Sequence, residues 1–166
     1  MSPQNPSPDR VLSLRPITPQ DEDFLCRLYA STREDELAPL DWTEDQKQAF
    51  LRMQFEAQHK FYLEQFSQAE FNIILLNGEP VGRLYTDLRS DEIRIVDIAL
   101  LTAYRGQGIG SAYMKDVIAQ ARAAGLAVRI HVERYNPAMS LYKRLGFQKI
   151  GDNGVYFLME WLPDSQ

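Results

Sequence analysis

The stretch LLTAYRGQGIGSAY, residues 100–113, places three glycines within five residues, directly after an apolar run. The whole chain has only nine glycines in 166 residues, so this concentration calls for a physical reason. A surface loop does not need it, whereas a backbone that approaches a phosphate does. Gly106, Gly108 and Gly110 carry no side chain that would hold a phosphate away from the N–H groups. The stretch therefore predicts a phosphate-binding turn, with a tight strand-to-helix turn that binds nothing as the alternative.

The helix predicted after these glycines supports the phosphate interpretation. Its first N–H groups have no partner within the helix, and its dipole favours negative charge at that end. Ser111 would add a hydroxyl and Arg105 a guanidinium. The G-x-G-x-G spacing differs from the G-x-G-x-x-G of dinucleotide-binding folds, and Ser111-Ala112 lacks the Lys-Ser/Thr pair of a P-loop. The spacing therefore leaves the phosphate compound unnamed.

Composition limits the other classes of function. The length suits a single domain, predicted over residues 11–163 after a flexible tail at residues 1–10 that is rich in Pro and Ser. A net charge of −5 disfavours nucleic-acid partners, and no apolar run is long enough to span a membrane. Cys26 is the only cysteine, so neither an intrachain disulfide nor a cysteine-rich metal site is expected. These features favour a cytoplasmic protein without a metal.

Two capping boxes predict the helices of the first half of the chain. Thr18 with Asp21 begins a helix that should end near residue 31, after a first strand over VLSLRPI. Thr43 with Gln46 begins a long aromatic helix that should end near residue 66. The acidic stretch between them, residues 34–41, is interpreted as a break in the helical pattern.

The second half of the chain alternates strands with two helices. Its predicted elements are a hairpin at Asn77-Gly78, a buried strand over EIRIVDIALL, a helix over SAYMKDVIAQARAA that ends at Gly125, a strand over LAVRIHVE, a short helix from Asn136 to Leu145 and a hairpin in FQKIGDNGVYFLMEW. The order β-α-α-β-β-β-α-β-α-β-β includes a right-handed parallel crossover. The predicted fold class is therefore mixed α/β, with about seven mostly antiparallel strands and about four helices.

Two motifs together resemble a known family. The stretch RGQGIG, residues 105–110, fits the Q/R-x-x-G-x-G/A signature of the GCN5-related N-acetyltransferase (GNAT) superfamily. The stretch NPAMSLYKRLGF, residues 136–147, resembles that family's second signature, and the order of elements is similar to the family fold. The resemblance covers nearly all of the chain beyond the tail. It implies an N-acetyltransferase (an acyltransferase of EC class 2.3.1) that uses acetyl-CoA or another acyl-CoA as donor.

The resemblance also implies how coenzyme A is bound. The N–H groups of residues 106–111 would hold the pyrophosphate, and the end of the preceding strand would pair with the pantetheine arm as an added strand. That pairing requires the two parallel strands to splay apart. Asn136 resembles the family's pantetheine-contacting residue, although an Asn before Pro is also a good helix N-cap. The implied cofactor-binding residues are Ile98, Ala99, Leu100, Arg105, Gly106, Gln107, Gly108, Ile109, Gly110, Ser111 and Asn136.

The implied reaction is attack of an amine on a thioester carbonyl, which involves two proton transfers. Tyr142 occupies the position of the family's tyrosine that donates to the sulfur, with an aromatic helix anchor as the alternative role. His131 lies where ribosomal-protein N-terminal acetyltransferases carry a glutamate base, and an imidazole accepts a proton near neutral pH. A hydrogen-bonded histidine without a catalytic role is equally consistent with this position.

The base is the least determined part of the sequence prediction. Many family members carry a glutamate in the strand before the glycines, and the matching position here holds Arg94. Glu92, Glu133 and Asp97 are weaker candidates for the base. An ordered chain of water is the remaining alternative.

The acceptor is predicted to be a small primary amine, because the aromatic second helix would fill an otherwise open groove. A protein N-terminus or lysine is the alternative acceptor, and an acyl-CoA-binding sensor without turnover is the alternative function. The acidic stretch at residues 34–41 either receives a cationic acceptor or is a solvated loop. A homodimer through sheet edges or the C-terminal hairpin is compatible with each of these functions.

Overall fold

The computed structural model describes residues 10–163, so the predicted tail at residues 1–10 falls almost wholly outside the described residues. The helices are α1 (Glu22–Ser31), α2 (Glu34–Leu37), α3 (Glu44–Gln65), α4 (Ile109–Ala124) and α5 (Met139–Arg144). The strands are β1 (Leu12–Pro16), β2 (Glu70–Leu76), β3 (Glu79–Leu88), β4 (Glu92–Leu100), β5 (Ala127–Glu133), β6 (Gln148–Asp152) and β7 (Tyr156–Trp161).

The seven strands form one sheet in the order β1-β2-β3-β4-β5-β7-β6. The sheet is mostly antiparallel, and β4 with β5 is its parallel pair. The predicted mixed α/β class is therefore confirmed. The described residues contain five α-helices where about four were predicted, because the acidic stretch at residues 34–41 includes the short helix α2.

The chain forms two compact units, and β3 and β4 each contribute residues to both. Of the described residues, the first unit contains residues 10–83 together with Ala99–Arg105. Its apolar core lies among α1, α2, α3 and β2 and consists of Phe24, Leu25, Leu28, Tyr29, Leu37, Leu51, Phe55 and Ile73. The side chains of α1 and α3 that are spaced by three or four residues meet in this core, as the amphipathic pattern predicts.

Both predicted capping boxes lie in the first unit. The Thr43 Oγ1 accepts from the Gln46 N–H at 3.1 Å, while the Gln46 Oε1 accepts from the Thr43 N–H at 2.9 Å. The Asp21 carboxylate accepts from the Thr18 N–H at 2.8 Å and from both Arg15 Nη atoms at 2.8 Å. These bonds, the Arg15 pair first, lower the pKa of Asp21 to about 2 against the opposing effect of burial. A short 3₁₀ helix over Pro19–Asp21 precedes α1, and α3 begins at Glu44. Both starts are therefore determined by bonds between close neighbours in sequence.

The second unit contains Leu84–Ile98 and the residues from Gly106 onward. Val128, Ile130 and Val132 are buried on one face of β5, where the helix α4 contacts the strand. The side chains of residues 129, 131 and 133 therefore lie on the opposite face, as alternation in a strand requires. Pairing of β4 with β5 runs from Glu92 and Ala127 to Ile95 and Ile130.

Both Asn-Gly hairpins form, but their turns differ. Asn77 (φ 51°) and Gly78 (φ 83°) make the two-residue turn that joins β2 to β3, with the two positive φ angles of a type I′ hairpin turn. In the second hairpin only Gly154 has a positive φ, and three residues separate β6 from β7. The Asn153 Oδ1 there accepts from two following N–H groups. The dipeptide therefore predicts the position of a hairpin better than the type of its turn.

Candidate active site

The glycine turn, defined as residues 106–111, forms the start of α4 in the second unit. Gly108 is the N-cap with φ +83°, and Gly106 has φ +72°, both in the left-handed region that strongly favours glycine. A Cβ added at either residue would meet no protein atom within 4 Å. The backbone at the N-terminus of a 16-residue helix is therefore not covered by side chains at these two positions. This arrangement suits an anion such as a pyrophosphate.

The remaining residues of the turn have other roles. α4 begins at Ile109, two residues earlier than predicted, so that Gly110 adopts a helical conformation open to any residue. Ile109 is fully buried and anchors the first turn of the helix. Ser111 is half-buried, while Gln107 is exposed. The conformation thus explains two of the three glycines, and Gly110 has no conformational explanation.

Arg105, which belongs to the first unit, binds protein acceptors in this structure. Its Nε donates to the carbonyl oxygen of Leu100 at 2.9 Å, and its Nη2 donates to the Ser31 Oγ at 3.4 Å. A phosphate contact would have to compete with these bonds. The predicted pairing of Arg105 with a phosphate therefore stays a prediction.

The end of β4 has a backbone arrangement that bears on the predicted pantetheine contact. The Leu101 N–H donates to the Val81 carbonyl at 2.9 Å, so the N–H and C=O of Leu100 point away from β3. A Cβ at Gly82 would clash with the backbone oxygen of Ala99. Gly82 therefore permits β3 to lie close against this end of β4. Sequence reasoning missed Gly82, although an isolated glycine inside a strand pattern is the signal of such a close approach.

The parallel ladder stops before the predicted cofactor-binding end of β4. Ile95 and Ile130 are its last pair among the described residues, although β4 continues to Leu100 and β5 to Glu133. In the second unit, Ile98 thus lies beyond the part of β4 that pairs with β5. This agrees with the separation of the parallel strands that the family resemblance implies.

Tyr142 is buried on the short helix α5. Its side chain is 4% exposed, and its ring lies 5.9 Å from that of Phe147. Burial, with a smaller effect of the negative charge of Asp97, raises the pKa of Tyr142 to about 12. The phenol therefore carries its proton throughout the physiological pH range.

The predicted helix start at Asn136 is wrong by three residues, because α5 begins at Met139. The Asn136 Oδ1 accepts from the Ala138 N–H at 2.8 Å, and the Asn136 carbonyl accepts from the Met139 N–H at 3.0 Å. These bonds form an Asx-type turn before the helix. Asn136 is therefore not the N-cap that the alternative predicted, since Ala138 holds that position, and its contact with pantetheine stays a prediction.

A network of charged side chains covers the open face of β5 and its neighbours. This polar face consists of Glu92, Arg94, Arg129, His131 and Glu160. The buried Glu92 carboxylate, in a residue only 6% exposed, accepts from Arg94 Nε at 2.7 Å and from Arg129 Nη1 at 2.9 Å. Arg129 also donates to Glu160 at 2.8 Å. The network as a whole pairs two arginines with two carboxylates.

Glu92 is held in its ionised form by this network. Burial acts to raise the pKa of Glu92, but the hydrogen bonds and positive charges of Arg94 and Arg129 outweigh it and lower the pKa. A carboxylate committed to two arginines is a poor general base. The structure thus assigns Glu92 a stabilising contact rather than the role of proton acceptor.

His131 is exposed and contacts the network through Arg94. Its Nδ1 lies 3.4 Å from Arg94 Nη1. Because a guanidinium only donates hydrogen bonds, Nδ1 must be the acceptor in this pair. Partial burial and then the charge of Arg94 lower the pKa of His131, against a raising effect of Glu92. The imidazole is therefore neutral at neutral pH, and its lone pair is on Nδ1.

The two predicted catalytic side chains are not in contact with each other among the described residues. The negative charge of Asp97 contributes to the raised pKa of Tyr142. Alternation along β4 places Asp97 on the same face as Ile95, and Ile95 pairs with Ile130 of β5. His131 follows Ile130 and lies on the opposite face. Sequence reasoning missed the pairing of Glu92 with two arginines, although the alternating charges of E-x-R in β4 and R-x-H-x-E in β5 were its signal.

Among residues 10–163, no three His, Cys, Asp or Glu side chains are grouped so that they would hold a metal ion. Within the same residues, none of the helices combines the length and the apolar character needed to cross a membrane.

The chain belongs to the Acetyltransferase (GNAT) family, whose sequence profile matches residues 28–147. A Bacillus subtilis protein with the provisional name ribosomal protein bS18-alanine N-acetyltransferase is 27% identical over 108 residues, which are 59% of this chain and 71% of that protein. The family and the enzyme class predicted from the two signatures are confirmed. The protein is therefore a GNAT-family acetyltransferase.

Solved structures confirm the fold. The PaiA N-acetyltransferase of Thermoplasma acidophilum, in complex with coenzyme A, has a TM-score of 0.69 at 16% identity. The superposition includes 92% of this chain and 99% of the PaiA chain. The ribosomal-protein-S18-alanine N-acetyltransferase of Escherichia coli has a TM-score of 0.60 at 18% identity and covers 94% of this chain and 97% of its own. At these identities the likeness is one of fold.

Proposed function

We propose that this protein transfers the acetyl group of acetyl-CoA to the primary amine of a small molecule, by direct attack of the amine on the thioester. The observation that carries the donor half is the start of α4, where Gly106 and Gly108 have left-handed φ angles and no protein atom lies near their Cβ positions. Membership of the GNAT family supports the same donor.

Coenzyme A would be held mainly by backbone groups. The N–H groups of residues 106–111 bind the pyrophosphate, favoured by the helix dipole and by the open space at the glycines. The backbone of residues 98–100 pairs with the amide groups of the pantetheine arm, and the Asn136 turn provides a further contact. Acetyl-CoA supplies the activated carbonyl, and the chain supplies orientation and proton transfer.

Tyr142 is the proposed donor to the departing sulfur. Its pKa of about 12 keeps the phenol protonated, which is the state that a donor requires. A thiolate with an ordinary pKa near 8.5 is a weaker base than such a phenolate, so complete proton transfer from Tyr142 would be uphill. Tyr142 therefore acts by donating a hydrogen bond that stabilises the developing negative charge on sulfur.

His131 is the proposed acceptor of the proton that the attacking amine loses, through an ordered chain of water, because its side chain lies on the strand face opposite to that of Asp97, which is near Tyr142. It is neutral at neutral pH, and its basic atom is Nδ1. Glu92 is occupied by two arginines and does not compete for this role.

The acceptor proposal rests on the aromatic character of α3 and the segment before it. Trp42 packs edge-on against Phe50 with ring centroids 5.2 Å apart, and Phe61 is exposed beside Tyr62. Exposed rings of this kind bind a small amine by apolar contact and cation–π attraction. A protein N-terminus is the second candidate, because the Bacillus subtilis relative is named for acetylating the alanine of a ribosomal protein.

The experiment that tests the proposal measures release of free CoA thiol from acetyl-CoA across a panel of acceptors. The panel contains amino acids, polyamines, aminoglycosides and short peptides that begin with alanine. We expect turnover with one of the small amines. Turnover confined to the peptides would replace the small-molecule acceptor by a protein N-terminus.

Two matched variants separate catalysis from cofactor binding. Tyr142→Phe should lower kcat about 100-fold, which is the lower range for a group that assists proton transfer, while acetyl-CoA still binds with wild-type affinity. Tyr113→Phe is the control, because Tyr113 is also buried, on α4, and burial raises its pKa as well. If wild type and Tyr142→Phe bind acetyl-CoA equally and neither turns over any acceptor, the small-amine proposal fails, and either the acceptor is a specific protein or metabolite outside the panel or the domain is an acyl-CoA sensor.

A further inference from the structure

Arg94 occupies the β4 position at which the family resemblance would imply a glutamate base, and its contacts join two parts of the polar face. Its Nε and Nη2 donate to Glu92 at 2.7 Å and 3.4 Å, while its Nη1 faces His131 Nδ1 at 3.4 Å. The Arg94 side chain is only 16% exposed, so its position is restricted by packing as well as by the carboxylate. A fork that binds a carboxylate on one side presents its remaining N–H groups in a determined direction.

Arg129 shares Glu92 with Arg94 but differs from it in its other partner. Both arginines donate to the Glu92 carboxylate, and Arg129 pairs in addition with Glu160. No hydrogen bond joins Arg129 and His131 among the described residues, although these two side chains, at i and i+2 of β5, share one face of the sheet. The chain thus contains two arginines on the same carboxylate, of which only Arg94 reaches the imidazole.

We propose that Arg94 is a positioning residue for His131, and that the buried carboxylate of Glu92 holds Arg94 in this role. By donating to Nδ1, Arg94 selects the neutral tautomer with its proton on Nε2 and leaves the basic lone pair on Nδ1. A proton taken from the substrate amine then adds to Nδ1, and the hydrogen bond from Arg94 is released. The role of His131 as proton acceptor rests on the proposed function, whereas the contact between Arg94 and His131 does not.

The charges around His131 support this assignment. On β4, the charged groups of this face are Glu92 and Arg94. On β5, Arg129 and Glu133 lie two positions before and after His131 on the same face. On β7, the uncharged Leu158 is opposite His131, with Tyr156 and Glu160 two positions away on either side. Arg94 is the charged group in contact with the imidazole. Its positive charge disfavours the imidazolium and so lowers the pKa of His131, in addition to the effect of partial burial.

The test is a pH titration of the two histidines by NMR on the full chain, since His59 and His131 are the only ones present. His131→Asn assigns the signals by removing one of them. We expect Arg94→Gln to raise the pKa of His131, because a glutamine keeps a donor but removes the charge. Arg94→Lys should leave the pKa closer to that of the wild type. His59, which stacks on Phe55 at 5.3 Å, is the internal reference and should not change.

Arg129→Gln is the matched control. It removes one arginine from Glu92, as Arg94→Gln does, and it also removes the arginine partner of Glu160, so it perturbs the network at least as much. We expect the pKa of His131 to change less in Arg129→Gln than in Arg94→Gln. Equal changes in the two variants would overturn the inference, since a general effect of the network would then explain them.

The nitrogen chemical shifts of His131 provide a second readout that a structural role would not affect. In the wild type at high pH we expect the tautomer protonated on Nε2, and in Arg94→Gln a more even mixture of both tautomers. A wild-type imidazole protonated on Nδ1 would contradict the hydrogen bond from Arg94 and overturn the inference.

The pH dependence of kcat/KM separates failure of this inference from failure of the proposed function. If His131 is the base, the acid limb of the profile follows the NMR pKa and moves to higher pH in Arg94→Gln. A pKa that moves in the NMR titration while the rate profile stays unchanged would support the coupling between Arg94 and His131 and remove His131 as the base. A pKa that does not move in the folded Arg94→Gln protein would overturn the coupling itself.

Discussion

The glycine turn and the polar face are built in opposite ways. The glycine turn consists of consecutive residues, and its geometry follows from two left-handed φ angles at Gly106 and Gly108. The polar face joins residues that are far apart in sequence: Arg94 and His131 are separated by 37 positions in numbering, and Arg129 and Glu160 by 31. The first therefore depends on backbone conformation and the second on the register of the strands.

This difference predicts different sensitivities. The glycine turn would bind its ligand through backbone groups, so any added side chain interferes, whatever its charge. The polar face depends on paired charges in a partly buried setting, so that loss of one partner leaves another uncompensated. The first should respond to side-chain size and the second to charge and pH.

Gly108→Val should have the largest effect. A β-branched residue is strained at φ +83°, and its side chain would occupy the space above the N-terminus of α4. We expect the affinity for coenzyme A, measured by calorimetry, to fall at least about 100-fold, which corresponds to about 2.7 kcal/mol.

Gly125→Val is the matched control for this prediction. Gly125 ends the same helix with φ +70°, and a Cβ there also meets no atom within 4 Å. The two variants should lose similar stability, and only Gly108→Val should lose coenzyme A binding. A similar loss of affinity in both would show that helix stability, rather than access to the turn, determines binding.

Glu92→Gln should have the next largest effect, this time on stability. The substitution leaves Arg94 and Arg129 without their shared negative charge, and the arginines are partly exposed, so we expect a loss of about 2 kcal/mol in the free energy of unfolding. Urea denaturation measures it. Glu160→Gln is the control with a single arginine partner and should cost about 1 kcal/mol or less. Equal losses would mean that the burial of Glu92 contributes nothing.

Lowering the pH should reduce the contribution of Glu92 to the free energy of unfolding. The folded pKa of Glu92 is lowered, so its stabilising contribution is complete above the pKa of an unfolded glutamate, about 4.3, and is lost as the pH falls through the folded value. The difference in unfolding free energy between wild type and Glu92→Gln should therefore shrink below about pH 4. A difference that stays constant from pH 7 to pH 3 would contradict an ionised Glu92.

Arg105→Gln should have the smallest effect. Its guanidinium already donates to Leu100 and Ser31, so a phosphate contact would replace existing bonds rather than add to them. We expect the affinity for coenzyme A to fall by no more than about fivefold, or about 1 kcal/mol. A loss as large as that in Gly108→Val would instead make Arg105 a principal phosphate ligand.

Several features could be predicted from the sequence because they depend on residues close together in the chain. The capping boxes at Thr18 and Thr43, the hairpin at Asn77-Gly78 and the glycine turn each involve no more than six consecutive residues. Helix boundaries that depend on longer contacts were predicted less well, such as the start of α5 after the Asn136 turn.

The polar face could not be predicted in the same way, because it depends on the register of the parallel strands, which places Arg94 of β4 opposite Arg129 of β5. A shift of one residue in that register would move Arg129 and His131 to the opposite face of the sheet. The burial of Tyr142, which raises its pKa to about 12, likewise depends on packing around α5 rather than on its own sequence.

The sequence by itself thus determined the family, the order of the elements and the glycine turn, since local backbone conformation and short motifs carry that information. Only the tertiary structure decided that Glu92 is bound to two arginines, that Arg94 reaches His131 and that Gly82 permits the close approach of Ala99. The physical reason is that charge pairing, tautomer and close packing arise between residues brought together by strand register, which no short stretch of the chain encodes.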